Sequence, residues 1–124
     1  MEQSFAKPSK EGMFELRFLN DEREEHLRII VFRMTRTTGY YLVIQKISLY
    51  QGVVKWLVDE RYHVEGDLKE ALQQAIEKYA DGLDLHFLFV DRKLLRKAKI
   101  SKKSYKRDGF EGTIEKICQV LDKS

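Results

Sequence analysis

Residues 53–79 read "VVKWLVDERYHVEGDLKEALQQAIEKY", and the hydrophobic period changes inside this stretch. Before Gly66, Val54, Trp56 and Val58 alternate with Lys55, Asp59 and Arg61. That two-residue repeat is the mark of a half-buried strand. After Gly66, Leu68, Ala71, Leu72, Ala75, Ile76 and Tyr79 recur three and four apart, which gathers them on one face of a helix. Asp67 with Glu70 makes a capping-box-like start, and Gly82 follows as a stop. The stretch therefore predicts a strand ending near residue 64 and a helix over about 67–80.

Working towards the N-terminus, three more strand patterns appear. "MFELRFL" places Phe14, Leu16 and Phe18 on one face and Glu15 and Arg17 on the other. "HLRIIVFRM" and "YYLVIQKISL" are rich in β-branched and aromatic residues, and "NDEREE", "TRTTG" and "YQG" separate the runs. Connections this short favour an antiparallel meander. Working towards the C-terminus, "LDLHFLFV" alternates Leu83, Leu85, Phe87 and Phe89 as a fifth strand. A last helix over about 111–122 carries Ile114, Ile117, Cys118 and Leu121 on one face, with Asp108 or Thr113 as its cap. The order ββββα-βα is that of an α+β domain, a four- to five-stranded antiparallel sheet with helices packed on it. Strands two and three are apolar on both faces. Ile29 and Val31 oppose Ile30 and Phe32, and Leu42 and Ile44 oppose Val43 and Ile47. A second cover is needed, from the C-terminal helix, another subunit or a ligand.

A chain of 124 residues suits one domain with a core of its own. The expected division is a flexible arm over 1–10 and a single domain over 11–124. No apolar run approaches the roughly 20 residues that span a bilayer. "MEQSFAKPSK" has no apolar signal core, so the reading is an intracellular, cytoplasmic protein, nuclear if the host is eukaryotic. The single cysteine, Cys118, excludes an intrachain disulfide and a multi-cysteine metal site.

The net charge of +3 conceals a separation. "DRKLLRKAKISKKSYKR", residues 91–107, holds nine cations (Arg92, Lys93, Arg96, Lys97, Lys99, Lys102, Lys103, Lys106 and Arg107) against the one acid Asp91. The segment is +8 and the remainder of the chain −5. Concentrated charge makes a local attractive field for an anion whatever the net charge. The first half reads as helical, with Leu94, Leu95 and Ala98 docking and the cations facing solvent; the second half reads as a polar connection. Lysines and arginines so displayed suit a phosphodiester backbone, and Tyr105 within "KKSYKR" is placed to stack on a base. Of the aromatic residues Phe14, Phe18, Phe32, Tyr40, Tyr41, Tyr50, Trp56 and Tyr62, most belong to the core. Any that lie on the helix-free face near Arg33, Arg36 or Lys46 would form a stacking platform. In strand order alone, the ββββα unit resembles the repeats of Whirly and PUR-type nucleic-acid-binding proteins.

Other chemistries find less support. Asp91-Arg92-Lys93 at the end of a strand resembles the last part of the PD-(D/E)xK nuclease motif. That resemblance implies a metal held by Asp91 and an earlier acid, but Asp81 and Asp84 are tightly spaced for the role and the motif's proline is absent. His26, His63 and His86 are scattered and lack metal-ligand spacing. No nucleophile constellation or phosphate loop is recognisable, and Cys118 reads as a core residue. No enzyme, cofactor or metal is expected. The reading is a nucleic-acid-binding protein, with single-stranded DNA or RNA preferred because no recognition helix is evident. The alternative is a protein-interaction module (inhibitor, adaptor or immunity-type) whose basic segment meets an acidic surface. The acidic loop "NDEREEH", with Asp21, Glu22, Glu24 and Glu25, leaves self-association open as well.

Overall fold

The computed structural model describes residues 12–33, 39–50 and 52–122. The expected arm over 1–10 and most of the "TRTTG" break lie outside them. The elements are β1 (Gly12–Leu19), β2 (Glu25–Arg33), β3 (Tyr40–Tyr50), β4 (Val53–Val64), α1 (Leu68–Tyr79), β5 (Asp84–Val90), α2 (Arg92–Lys97) and α3 (Lys102–Asp122). The strands form one five-stranded sheet in the order β4-β3-β2-β1-β5, antiparallel throughout. The first four strands are thus the expected meander, and β5 returns to the free side of β1. No helix among the described residues is long and apolar enough to cross a membrane.

One face of the sheet meets the helices. Leu16, Ile29 and Ile44 lie in one cross-strand row and Phe14, Val31 and Leu42 in the next, all fully buried. Leu68, Leu72 and Ala75 of α1, Leu94 of α2 and Ile117, Cys118 and Leu121 of α3 close over them. Ile76 and Tyr79 pack at the margin. Asp67 caps α1 as its spacing predicts, its Oδ1 accepting from the Glu70 amide at 3.1 Å. The end of α3 is tied down twice. The Tyr40 hydroxyl donates to the Leu121 carbonyl at 2.8 Å, and Asp122 Oδ1 accepts from the Leu68 amide at 3.3 Å.

Two β-bulges correct the faces read from simple alternation. One lies between Val58 and Glu60, opposite Ile44 and Gln45. It brings Arg61 into line with Val43, on the same face as Trp56 rather than opposite it. The other lies in β5, where Phe18 pairs Leu85 but Arg17 pairs Phe87. Leu85 therefore joins the core row while Phe87 and Phe89 turn to the other face. A bulge inserts one residue and shifts the alternation, and no composition signal marks it. Gly39 is required where β3 begins. Its φ is 115°, and a Cβ there would sit 2.4 Å from the Val64 carbonyl oxygen.

The second face is not covered by the C-terminal helix, which packs beside α1. It closes on itself. Glu15, 2% exposed, stands on β1 between Ile30 and Phe89. Its Oε2 accepts from Arg17 Nε at 2.6 Å and lies 3.7 Å from Arg28 Nη1. Arg17 also reaches Glu25 at 3.3 Å, and Arg28 donates to Gln45. The guanidinium carbon of Arg17 sits 4.6 Å from the Phe89 ring centroid, and that of Arg28 sits 4.3 Å from Trp56. Arginine planes stack on aromatic faces while their N–H groups stay hydrogen-bonded. The stack Phe89–Arg17–Trp56–Arg28 thus shields the apolar Ile30 and Val43 from water, both of which are buried.

Candidate nucleic-acid interface

The basic segment is two helices joined by a short turn. α2 follows β5 directly, beginning at Asp91, whose carbonyl accepts from the Leu95 amide at 2.9 Å. Leu94 and Ala98 are buried and Leu95 half-buried, as the apolar spacing predicts. Lys99 ends the turn with a positive φ of 57°. α3 then starts at Lys102, so the second half of the segment is helical where a polar connection was expected. The signal for it lies in Ser101-x-x-Ser104. Each of these serines accepts from the other's backbone amide, at 2.9 and 3.1 Å. That reciprocal cap satisfies amides which a helix start otherwise leaves without partners.

α3 breaks at Gly109, whose φ of 70° and ψ of −169° are not helical. The portion after the break matches the helix expected over 111–122. Thr113 is a buried helix residue there and not its cap. Asp108 holds the junction, accepting from Arg107 Nε at 3.0 Å and from Lys116 Nζ at 2.6 Å. Hydrogen bonds from those two cations hold its carboxyl down at about 2. Tyr105 is half-buried, and its ring meets Phe110 edge-on with centroids 5.6 Å apart. Burial pushes its hydroxyl above the ordinary value.

All nine cations of the segment are exposed. Arg107 pairs with Asp108. Among the described residues the other eight, Arg92, Lys93, Arg96, Lys97, Lys99, Lys102, Lys103 and Lys106, have no acidic partner within 4.0 Å. Arg17 and Arg28 on the helix-free face of the sheet differ, since both contact Glu15. The cations of this segment are displayed, whereas Arg17 and Arg28 of the sheet are matched within the fold.

The other candidate residues fall apart in space. Arg33 and Lys46 stand in register with the helix-facing rows, not on the helix-free face, and Arg36 lies outside the described residues. The aromatic residues of the helix-free face are Phe32, Tyr41, Trp56, Phe87 and Phe89, with Tyr41 the most exposed at 40%. Of the cations on that face, Arg17 and Arg28 are already engaged, while Arg61, in register with Val43, is exposed. Tyr50 and Tyr62 belong to strands whose side chains there are not described. Asp84 and Asp91 bracket β5 and so stand roughly 20 Å apart at the usual strand rise. Asp84 is ion-paired to Arg23 at 3.3 Å. Among the described residues no three acids, histidines or cysteines gather as a metal site would require. Cys118 is fully buried, and burial pushes its thiol up to about 12, which keeps it protonated and inert. No family model matches the chain, and neither does any curated protein or solved structure.

Proposed function

We propose that this protein binds nucleic acid, single strands in preference to duplex, through the basic surface of α2 and the first turns of α3. One observation carries the reading: eight exposed cations, seven on two consecutive helices and Lys99 in the turn between them, lack acidic partners among the described residues. Arg17 and Arg28, which hold the second face of the sheet, sit beside Glu15. Cations left free attract a polyanion and displace its condensed counterions. The two helical stretches together offer roughly 20 Å of rise, with a cation on every turn. Leu94, Ala98 and Ser104 anchor their inner sides, so the charges are presented on a folded support.

Capture is electrostatic in this scheme, and contacts to phosphate carry no sequence information. Stacking is secondary. Tyr105 is committed in part to Phe110, and its remaining exposed surface is what a base would meet. The competing ligand is an acidic protein surface, which the same cations would suit. The test is purification under low salt with the ratio of absorbance at 260 and 280 nm followed, then titration of labelled single-stranded and duplex oligonucleotides. Tighter binding to single strands with no dependence on sequence is expected. Absence of binding to either form at moderate salt, with an acidic protein co-purifying, would favour the protein-interaction reading instead.

A further inference from the structure

The stack around Glu15 covers the middle of the helix-free face, and a row of rings lies beyond it. Phe32, Tyr41 and His63 stand directly across from one another on β2, β3 and β4. Tyr41 is 40% exposed, His63 is exposed and Phe32 is half-buried. The Tyr41 and His63 rings have centroids 5.8 Å apart and planes tilted by 53°. His63 Nε2 lies 3.9 Å from Glu65 Oε1, a contact at the ring edge. Arg61 stands beside this row. The bulge between Val58 and Glu60 sets it opposite Val43, next on this face of β4 to His63 and diagonal to Tyr41. A long side chain reaches a diagonal neighbour, and bulges re-aim side chains in this way. Arg61 is exposed, and among the described residues no carboxylate lies within 4.0 Å of it.

The row also lies at the end of the sheet from which α2 leaves. Phe32 pairs Gly12, and Val90, the last residue of β5, pairs Phe14. Arg92 and Lys93, both exposed, follow just after Val90. In the strand order, β2, β3 and β4 lie two to four strands from β5, so the rings stand about 10–20 Å across the sheet from it. The helices alone do not explain a preference for single strands. Their cations meet phosphate, which duplex and single strand both carry. Ring faces meet base faces, and only unpaired bases leave theirs open to stack. We infer that Phe32, Tyr41 and His63 form a stacking row for unpaired nucleobases, with Arg61 holding the phosphate beside them. The ligand is a single strand and not an apolar protein surface, because rings and an unmatched guanidinium stand side by side. The inference deepens the binding proposal and rests on it for the nature of the ligand, but it places base contact on a second surface.

The experiment is titration of the full chain, at fixed low salt, with a short labelled oligothymidine and with the same strand made abasic throughout. The abasic strand keeps every phosphate and has no base to stack. The native chain should bind the complete strand roughly 5- to 150-fold more tightly, the factor that one stacked base contributes. Tyr41→Ala should remove most of that ratio and leave affinity for the abasic strand unchanged, whereas Tyr41→Phe keeps the ring and should retain the ratio. Arg61→Ala should weaken both strands by a similar factor. Circular dichroism confirms the fold of each variant. Equal binding of the two strands by the native chain, or a ratio indifferent to Tyr41→Ala, would overturn the stacking row and leave capture by the helices standing. A ratio that follows Tyr41, in a chain whose affinity ignores the change of Lys102, Lys103, Lys106 and Arg107 to Ala, would uphold the row and overturn the helices. Absence of binding to either strand would overturn both.

Discussion

Glu15 offers a sharp test of how the helix-free face is held. Its side chain is 3% exposed and shares one oxygen between Arg17 and Arg28, which are 14% and 18% exposed. Removing one member of a buried ion pair typically costs about 3–5 kcal/mol, because a charge is left without compensation. Here the remaining cations keep some support. Arg17 retains Glu25, Arg28 retains Gln45, and both stay stacked on rings. The lower end of that range applies, so Glu15→Ala should cost about 3 kcal/mol. Glu15→Gln keeps the shape and one acceptor oxygen, and should cost about 1–2 kcal/mol. At roughly 4 °C per kcal/mol for a domain of this size, the alanine variant should melt about 12 °C lower. Urea unfolding followed by tryptophan emission is well suited to this, since Trp56 is the only tryptophan and contacts both arginines. A loss below about 1 kcal/mol for the alanine variant would show that the cluster decorates the face without holding it.

Three further outcomes are expected. Leu72→Ala should cost about 2–5 kcal/mol in the same urea assay, because Leu72 is 1% exposed where α1 meets the sheet; an unchanged transition would mean that α1 does not bury this face. Asp108 titrates at about 2 in the folded chain against an ordinary 3.8, so its contribution to stability is complete above about pH 4 and lost as pH falls towards 2. Asp108→Asn should therefore lower the melting temperature at pH 7 and flatten its fall between pH 4 and 2, whereas parallel curves would show no special role for the carboxylate. Incubation with magnesium or manganese and several DNA and RNA forms should give no cleavage; cleavage abolished by Asp91→Ala would establish a nuclease.

Much of the architecture was legible because the chain keeps strict periods. The switch at Gly66, the cap at Asp67 and the alternation of Phe14, Leu16 and Phe18 each point to one element, and each is present. What the period cannot show is where it slips. The bulges in β4 and β5 moved Arg61 and Phe87 across the sheet, and a single inserted residue leaves no trace in composition. Long-range pairing was hidden too. Glu15, Arg17, Arg28, Trp56 and Phe89 come from four strands, and only the sheet order reveals that they form one stack. The basic segment was visible as charge and half visible as structure. Leu94 and Ala98 announced α2, while the start of α3 rested on the Ser101–Ser104 cap within a run that looks like a loop. Charge density could nominate the surface, but only the exposure and pairing of each cation distinguish a displayed patch from one neutralised within the fold.

The binding proposal is tested at its root by the salt dependence of single-strand affinity in the native chain and in a variant with Lys102, Lys103, Lys106 and Arg107 all changed to Ala. All four side chains are exposed, and Asp108 keeps Lys116 when Arg107 is removed, so the fold should persist. If about five cations contact phosphate, log K for the native chain should fall against log salt with a slope near −3.5, at about −0.7 per phosphate. The variant should bind every sequence more weakly by a similar factor, with a slope flattened to about −2 or less. Strong binding that ignores salt, or a variant with unchanged affinity and slope, would contradict binding through this surface.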